Sequence, residues 1–164
     1  MRPRTSWEID ALNAAAESWV GTPFCERSAV KGAGVCCHRL LVEVFAEAGW
    51  LPRIDVPDHD ARWARAQSRS VIADWLDGAG AHWFVGSAVV RWDDVQAGDV
   101  LGFRLGRSLH HLVLALPHGR YLHTLEHGVV IAAEMPLRWC DRAERMWRPI
   151  PQFTPTSPAL TYNR

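Results

Sequence analysis

An α+β fold, with helices first and an antiparallel sheet after them, follows from how two periodicities divide the 164 residues. Apolar residues recur at helical spacing through the first half, whereas the second half breaks into short β-rich runs separated by turn residues. Hydrophobic residues make up 48% of the chain and charged residues 22%, an ordinary globular balance that excludes wholesale disorder.

The first helix is expected where Thr5-Ser6-Trp7-Glu8 forms a capping box, followed by Ile9, Leu12, Ala16, Trp19 and Val20 on one face. Gly21-Thr22-Pro23 ends it. The glycine-rich turn Lys31-Gly32-Ala33-Gly34 leads to a second helix that starts at Cys36 or Cys37 and runs to Ala48. Its buried stripe is Leu40, Leu41, Val44, Phe45 and Ala48, with Gly49 as its stop. A third helix is read over Ser70–Asp77, capped by Ser70 and closed by Gly78. Strands are read at Asp99–Arg104, His111–Leu116, Arg120–Thr124 and Val129–Ala133, joined by compact turns at Pro117-His118-Gly119 and Glu126-His127-Gly128. Trp147-Arg148-Pro149-Ile150 is read as a last edge strand, giving a sheet of about five strands. Residues 1–150 are taken as one domain, with 50–94 as an inserted segment and the proline-bearing 151–164 as an extended tail.

Charge and cysteine usage narrow the function. Lys+Arg and Asp+Glu are equal at 18 each, which leaves no basic footprint for nucleic acid or an anionic membrane surface. No apolar run approaches the roughly 20 residues of a membrane span. The opening residues hold no apolar segment of a signal peptide, so synthesis in the cytoplasm is expected. Reaching a cell wall would then need lysis, a particle or a secretion device. The four cysteines, at 25, 36, 37 and 140, lack the spacing of a disulfide framework or a zinc site, and no metal or cofactor is expected. The nine tryptophans are read as core packing in preference to a ring-binding groove.

One cysteine has the setting of a nucleophile. Cys37 stands at a helix start, where unpaired amides and the helix dipole stabilise a thiolate and a developing oxyanion. A thiolate needs a base, and the base a partner that fixes its tautomer. His111 opens one strand and His123 closes the next, with the turn between them, so the two are expected opposite each other at one open end of a hairpin. His110 is the rival to His111, because only one of two successive strand residues can face the helix. The plain alternative is a buried core cysteine and two histidines at strand ends.

These segments resemble the NlpC-type cell-wall peptidases, which are papain-like. Trp19-Val20-Gly21-Thr22-Pro23-Phe24 and then Val35-Cys36-Cys37-His38-Arg39-Leu40-Leu41 resemble the family's nucleophile segment. Gln96-Ala97-Gly98-Asp99-Val100 resembles its proline-glycine-aspartate strand, and His111 through His123 its pair of histidine strands. Arg148-Pro149 resembles its closing strand. The resemblance implies a papain-like fold and hydrolysis of an amide in peptidoglycan stem peptides, commonly between D-γ-glutamyl and a diamino acid. It implies Cys37 as nucleophile, His111 as base and His123 as the orienting group, with Phe24, Cys36, His38, Arg39 and His110 around the substrate. A branch attached to phage tails and gene-transfer particles is the closest in pattern, which makes phage-like particle components expected partners.

Three departures stand out. Cys36 replaces the family's aspartate before the nucleophile, His38-Arg39 replaces a pair of small residues, and Phe24 lacks a phenolic hydroxyl. They keep open a catalytically inactive module that binds peptidoglycan or builds a tail, and a papain-like acyl transferase on another small amide. The stretch 50–94 carries Trp63, Trp75, Trp83 and Trp92 with Arg62, Arg65 and Arg69. It is read as a helical insertion packed beside the sheet, ahead of a lid over the cleft.

Overall fold

The computed structural model describes residues 3–58 and 67–150. Helix α1 spans Ser6–Ser18, and its capping box forms: Thr5 Oγ1 accepts from the Glu8 amide at 3.4 Å while Glu8 Oε2 accepts from the Thr5 amide at 2.8 Å. A two-strand hairpin follows, β1 (Ala29–Val30) with β2 (Gly34–Val35), and delivers the chain to α2 at Cys37–Glu47. Helix α3 spans Val71–Asp77, where Ser70 Oγ accepts from the Ala73 amide at 3.1 Å. The strands are β3 (Phe84–Ser87), β4 (Val100–Leu105), β5 (Ser108–Ala115), β6 (Tyr121–Leu125), β7 (Gly128–Ala132) and β8 (Ala143–Pro149). A short helix α4 (Leu137–Cys140) lies between β7 and β8.

The main sheet is antiparallel and has six strands in the order β3-β8-β4-β5-β6-β7, where about five were expected. The additional strand is β3, contributed by the segment read as an insertion. It pairs along β8, Phe84 facing Pro149 and Ser87 facing Met146, so β8 is an inner strand and not the expected edge.

Each face of the sheet has its own apolar layer. On one face α1 and α2 bury Leu12, Ala16, Leu40, Val44 and Phe45 against Val100, Leu112, Leu114, Leu122 and Trp147. On the other, Leu101, Phe103, Val113 and Met146 pack with Trp92, Tyr121, Met135 and Trp139. The 50–94 stretch joins the first layer through Trp50, Leu51, Ile72, Leu76 and Phe84, with Trp75 and Trp83 packed against it. Those residues are core packing. Arg69 pairs with Asp74 at the surface, and Trp63, Arg62 and Arg65 lie outside the described residues, as does the 151–164 tail. No helix among the described residues is long and apolar enough to cross a membrane.

A buried ion pair ties the sheet to its last strand. Asp99 is fully buried, and Arg148 on β8 reaches it with Nε to Oδ1 at 2.8 Å and Nη2 to Oδ2 at 2.6 Å. Asp99 Oδ2 also accepts from the Gln96 amide at 2.9 Å, closing the turn before β4. Removing one partner strands a charge away from water, which costs about 3–5 kcal/mol. Arg148→Ala, which leaves the Asp99 carboxylate buried without its cation, is therefore expected to lower unfolding stability by that amount in a urea titration, whereas an exposed pair such as Lys31–Glu47, broken by Lys31→Ala, should cost under about 1 kcal/mol.

Candidate active site

The entry to α2 is held by a ring of backbone hydrogen bonds. The Val35 amide donates to Pro23 at 3.0 Å, the Cys25 amide to Val35 at 3.2 Å and the Cys36 amide to Ser28 at 3.3 Å. Gly34 is required here, since a Cβ at that position would stand 2.5 Å from the Cys25 Cβ. Lys31 then bonds Ser18 Oγ and Glu47 Oε2, each at 2.7 Å, which clips the β1–β2 turn to the C-terminal ends of α1 and α2.

Cys36 occupies the N-cap of α2 in an extended conformation and makes no side-chain cap bond. Its sulfur lies 3.6 Å from His38 Nδ1 and donates to the Ser28 carbonyl at 3.9 Å. Cys37 is the first residue of the helix, is buried, and donates its S–H to the His110 carbonyl at 3.9 Å. His38 is buried, and Arg39 turns outward to Asp58 at 2.8 Å. Phe24 is partly exposed and bridges to Val35.

The histidines sit where β5 is irregular and where it parts from β6. Phe103 faces His111 but the next residue, Arg104, faces Leu109, so His110 is the extra residue of a β-bulge. The bulge frees the His110 carbonyl for Cys37, and the His110 ring sits with Nδ1 3.1 Å from the Ser108 carbonyl. Between β5 and β6 the ladder holds only Leu114 to Leu122 and Ala115 to Tyr121. Its continuation would set His123 level with Val113. The expected pairing of His111 directly opposite His123 is thus shifted by two residues, because the turn centres on His118, in the left-handed region at φ 61°, and not on Pro117. Both rings still share one face, with centroids 5.8 Å apart and planes at 89°. At that spacing they meet edge to face, and His123 Nδ1 is buried with no hydrogen-bond partner among the described residues.

Trp139 on α4 was not singled out in the sequence, and it completes this cluster. Its ring lies 5.5 Å from His111, 6.1 Å from His123 and 5.5 Å from Phe103. The second apolar layer therefore closes over both imidazoles. Only its place among nine tryptophans, with no period of its own, was visible beforehand.

Burial dominates the electrostatics. Loss of water pushes the Cys37 thiol up to about 12, against smaller opposing effects of the Leu112, His38 and Cys37 backbone. The Cys36 thiol is raised by burial as well, and His123 is lowered by it. A resting thiolate–imidazolium pair, the form a helix N-terminus favours, is thus not the form this closed site holds. Cys37 rests as the neutral thiol at neutral pH, and burial disfavours the charged form of His123. Among the described residues no group of three or more His, Cys, Asp or Glu is arranged to hold a metal, and all four cysteines are free thiols.

No protein-family model matches the sequence, and no curated protein does. Solved structures do match. One is described as similar to a lipoprotein of the NLP/P60 family, from Staphylococcus aureus subsp. aureus Mu50, at 18% identity and TM-score 0.61. The match covers 91% of this chain and 43% of the staphylococcal one, so this chain spans less than half of that protein. Another is the NlpC/p60 domain of the peptidoglycan hydrolase SagA, at 16% identity and TM-score 0.52, covering 86% of this chain and 97% of that one. This chain has the NlpC/P60 fold. Within the NlpC/P60 fold, α2 and the β5–β6 pair are the elements that carry Cys37, His111 and His123.

The raised thiol makes stability depend on alkaline pH. The unfolded chain loses the Cys37 proton near the ordinary thiol value of 9.0, the folded chain only at about 12. Between those values the unfolded state binds fewer protons, so stability falls as pH rises. At about pH 10.5 the loss attributable to Cys37 is about 2 kcal/mol at 1.36 kcal/mol per pH unit. Urea unfolding of the parent and of Cys37→Ser at about pH 7.5 and 10.5 checks this, with the smaller alkaline loss expected in the variant.

Proposed function

We propose that this chain is a cysteine peptidase or amidase of the NlpC type, hydrolysing an amide bond in peptidoglycan stem peptides, such as that between D-γ-glutamyl and a diamino acid. The observation that carries the reading is one juxtaposition. On an NlpC/P60 fold, the thiol that opens α2 rests on the β5 backbone beside His111, and the His111 ring meets His123.

In this reading the bound substrate displaces the closed resting state, and His111 takes the S–H proton as Cys37 sulfur attacks the amide carbonyl. The amides at the start of α2 stabilise the oxyanion of the tetrahedral intermediate. His111 returns the proton to the departing amine, and the C–N bond breaks to leave a thioester on Cys37. Water, deprotonated by the same imidazole, then releases the acid and regenerates the thiol. His123, held neutral by burial, fixes the orientation of His111. Phe24, Cys36, His38, Arg39 and His110 frame the substrate from the α2 and β5 sides.

A second reading is a catalytically inert NlpC-like module that binds peptidoglycan or builds a phage-like particle. The closed, uncharged state of Cys37 favours it, because a thiol held at about 12 is a poor nucleophile until the site opens. Digestion of purified muropeptides with mass analysis of the products separates the two. Turnover is expected in the parent, none in Cys37→Ala, and most of it retained in Cys36→Ala. His123→Ala should lower kcat by about 10²–10⁴-fold with KM nearly unchanged. Product formation by Cys37→Ala equal to that of the parent would remove Cys37 from the nucleophile role.

A further inference from the structure

A cavity of about 220 Å³ opens beside the histidine cluster, on the sheet face away from α1 and α2. At about 30 Å³ per water it has the volume of roughly seven waters, enough for one amino-acid residue. Val113, Leu125, Met135 and Pro136 make an apolar wall, Trp139 supplies an aromatic one, and the His123 ring closes the inner side. Arg138 is the one charged side chain on its lining. That guanidinium is exposed and enters no ion pair or hydrogen bond among the described residues, in contrast to Arg39, Arg145 and Arg148, which each hold a carboxylate.

An apolar hollow with a single uncommitted guanidinium at its mouth selects for an apolar body that carries one anion. The anion best matched to the planar fork of arginine is a carboxylate. No acid lines the cavity, so a cationic side chain finds no counter-charge there. From this we infer that the cavity is a binding site for the free C-terminal residue of a peptide, with the side chain against Trp139 and Met135 and the α-carboxylate on Arg138. The assignment rests on the proposed peptidase reading for its source of peptide ends, and deepens it. It places such an end next to His123, so the substrate or product would be a short peptide with a free carboxyl terminus and not an interior stretch of chain.

The test is equilibrium binding, which needs no turnover. Titration calorimetry of the Cys37→Ala protein would use N-acetylleucine, N-acetylleucine amide and 4-methylpentanoate as probes. N-acetylleucine is expected to bind about threefold to fivefold more tightly than its amide, the worth of an ion pair at an exposed guanidinium. Arg138→Gln should erase that difference, and its exposed, unpaired side chain makes it a mild substitution. Ala132→Phe, which fills the hollow, should weaken the acid and the amide alike. Equal binding of acid and amide, a preference that survives Arg138→Gln, or no binding by either probe would overturn the site. Binding of 4-methylpentanoate as tight as that of N-acetylleucine would overturn the peptide end as its ligand. Muropeptide digestion that yields nothing, with the acid preference intact, would fault the peptidase reading and leave the site standing.

Discussion

Helix α2 can bury its stripe in only one register, and the geometry around Cys37 hangs on that constraint. Leu40 and Val44 have no exposure and Phe45 almost none, so the helix can neither slide nor rotate without opening the first apolar layer. Because the stripe fixes the helix, it also fixes the residue that begins it. The N-terminus of α2 meets the sheet where β5 and β6 cease to pair, and the bulge at His110 turns a carbonyl out to receive the thiol. Packing far from the chemistry thus sets the position of the sulfur to within a contact distance.

Two physical effects compete at that sulfur. The start of a helix favours negative charge by about 0.3–1 kcal/mol at an exposed site and somewhat more when partly buried. Complete burial disfavours it by more, and the thiol rises accordingly. An aspartate before the nucleophile would keep water and a hydrogen-bond acceptor near the helix cap. Cys36 offers neither, and its sulfur is spent on His38 and the Ser28 carbonyl. On the opposite side, Trp139 and Phe103 screen the imidazoles from solvent. Burial thus holds the resting thiol in its neutral form.

Much of the fold could be read from the sequence because its signals are local. The Thr5–Glu8 box and the Ser70 cap act over three residues, and both helices begin where they were expected. The glycine after α2 was equally legible, and of the two starts the sequence offered, Cys36 and Cys37, the helix begins at Cys37 with Cys36 as its cap. What escaped notice is non-local. Strand β3, four residues long, shows no alternation that would reveal it, and only its pairing with β8 makes it a strand. Two adjacent histidines do not announce a bulge, and the hairpin register depended on where the Pro117–Gly119 turn is centred, which its residue types do not settle. Trp139 joins the site from a four-residue helix, too short to leave a periodic pattern. The residues of the candidate site were nameable, but the contacts between them were not.

The place of β3 bears on how the chain behaves in a crowded cell. An inner strand with both ladders satisfied offers nothing to a neighbouring molecule, whereas an open edge is a template for intermolecular pairing. β8 carries Met146 and Trp147, and were its outer side bare it would present a long hydrogen-bonding rim flanked by apolar side chains. The four residues of β3 cover that rim along Met146–Pro149 and end the sheet in a short stub that closes on Gly86 and Ser87. The stretch read as an insertion thus supplies the cover for this part of the sheet, and a shortened chain lacking β3 would turn the Met146–Pro149 rim toward its own copies.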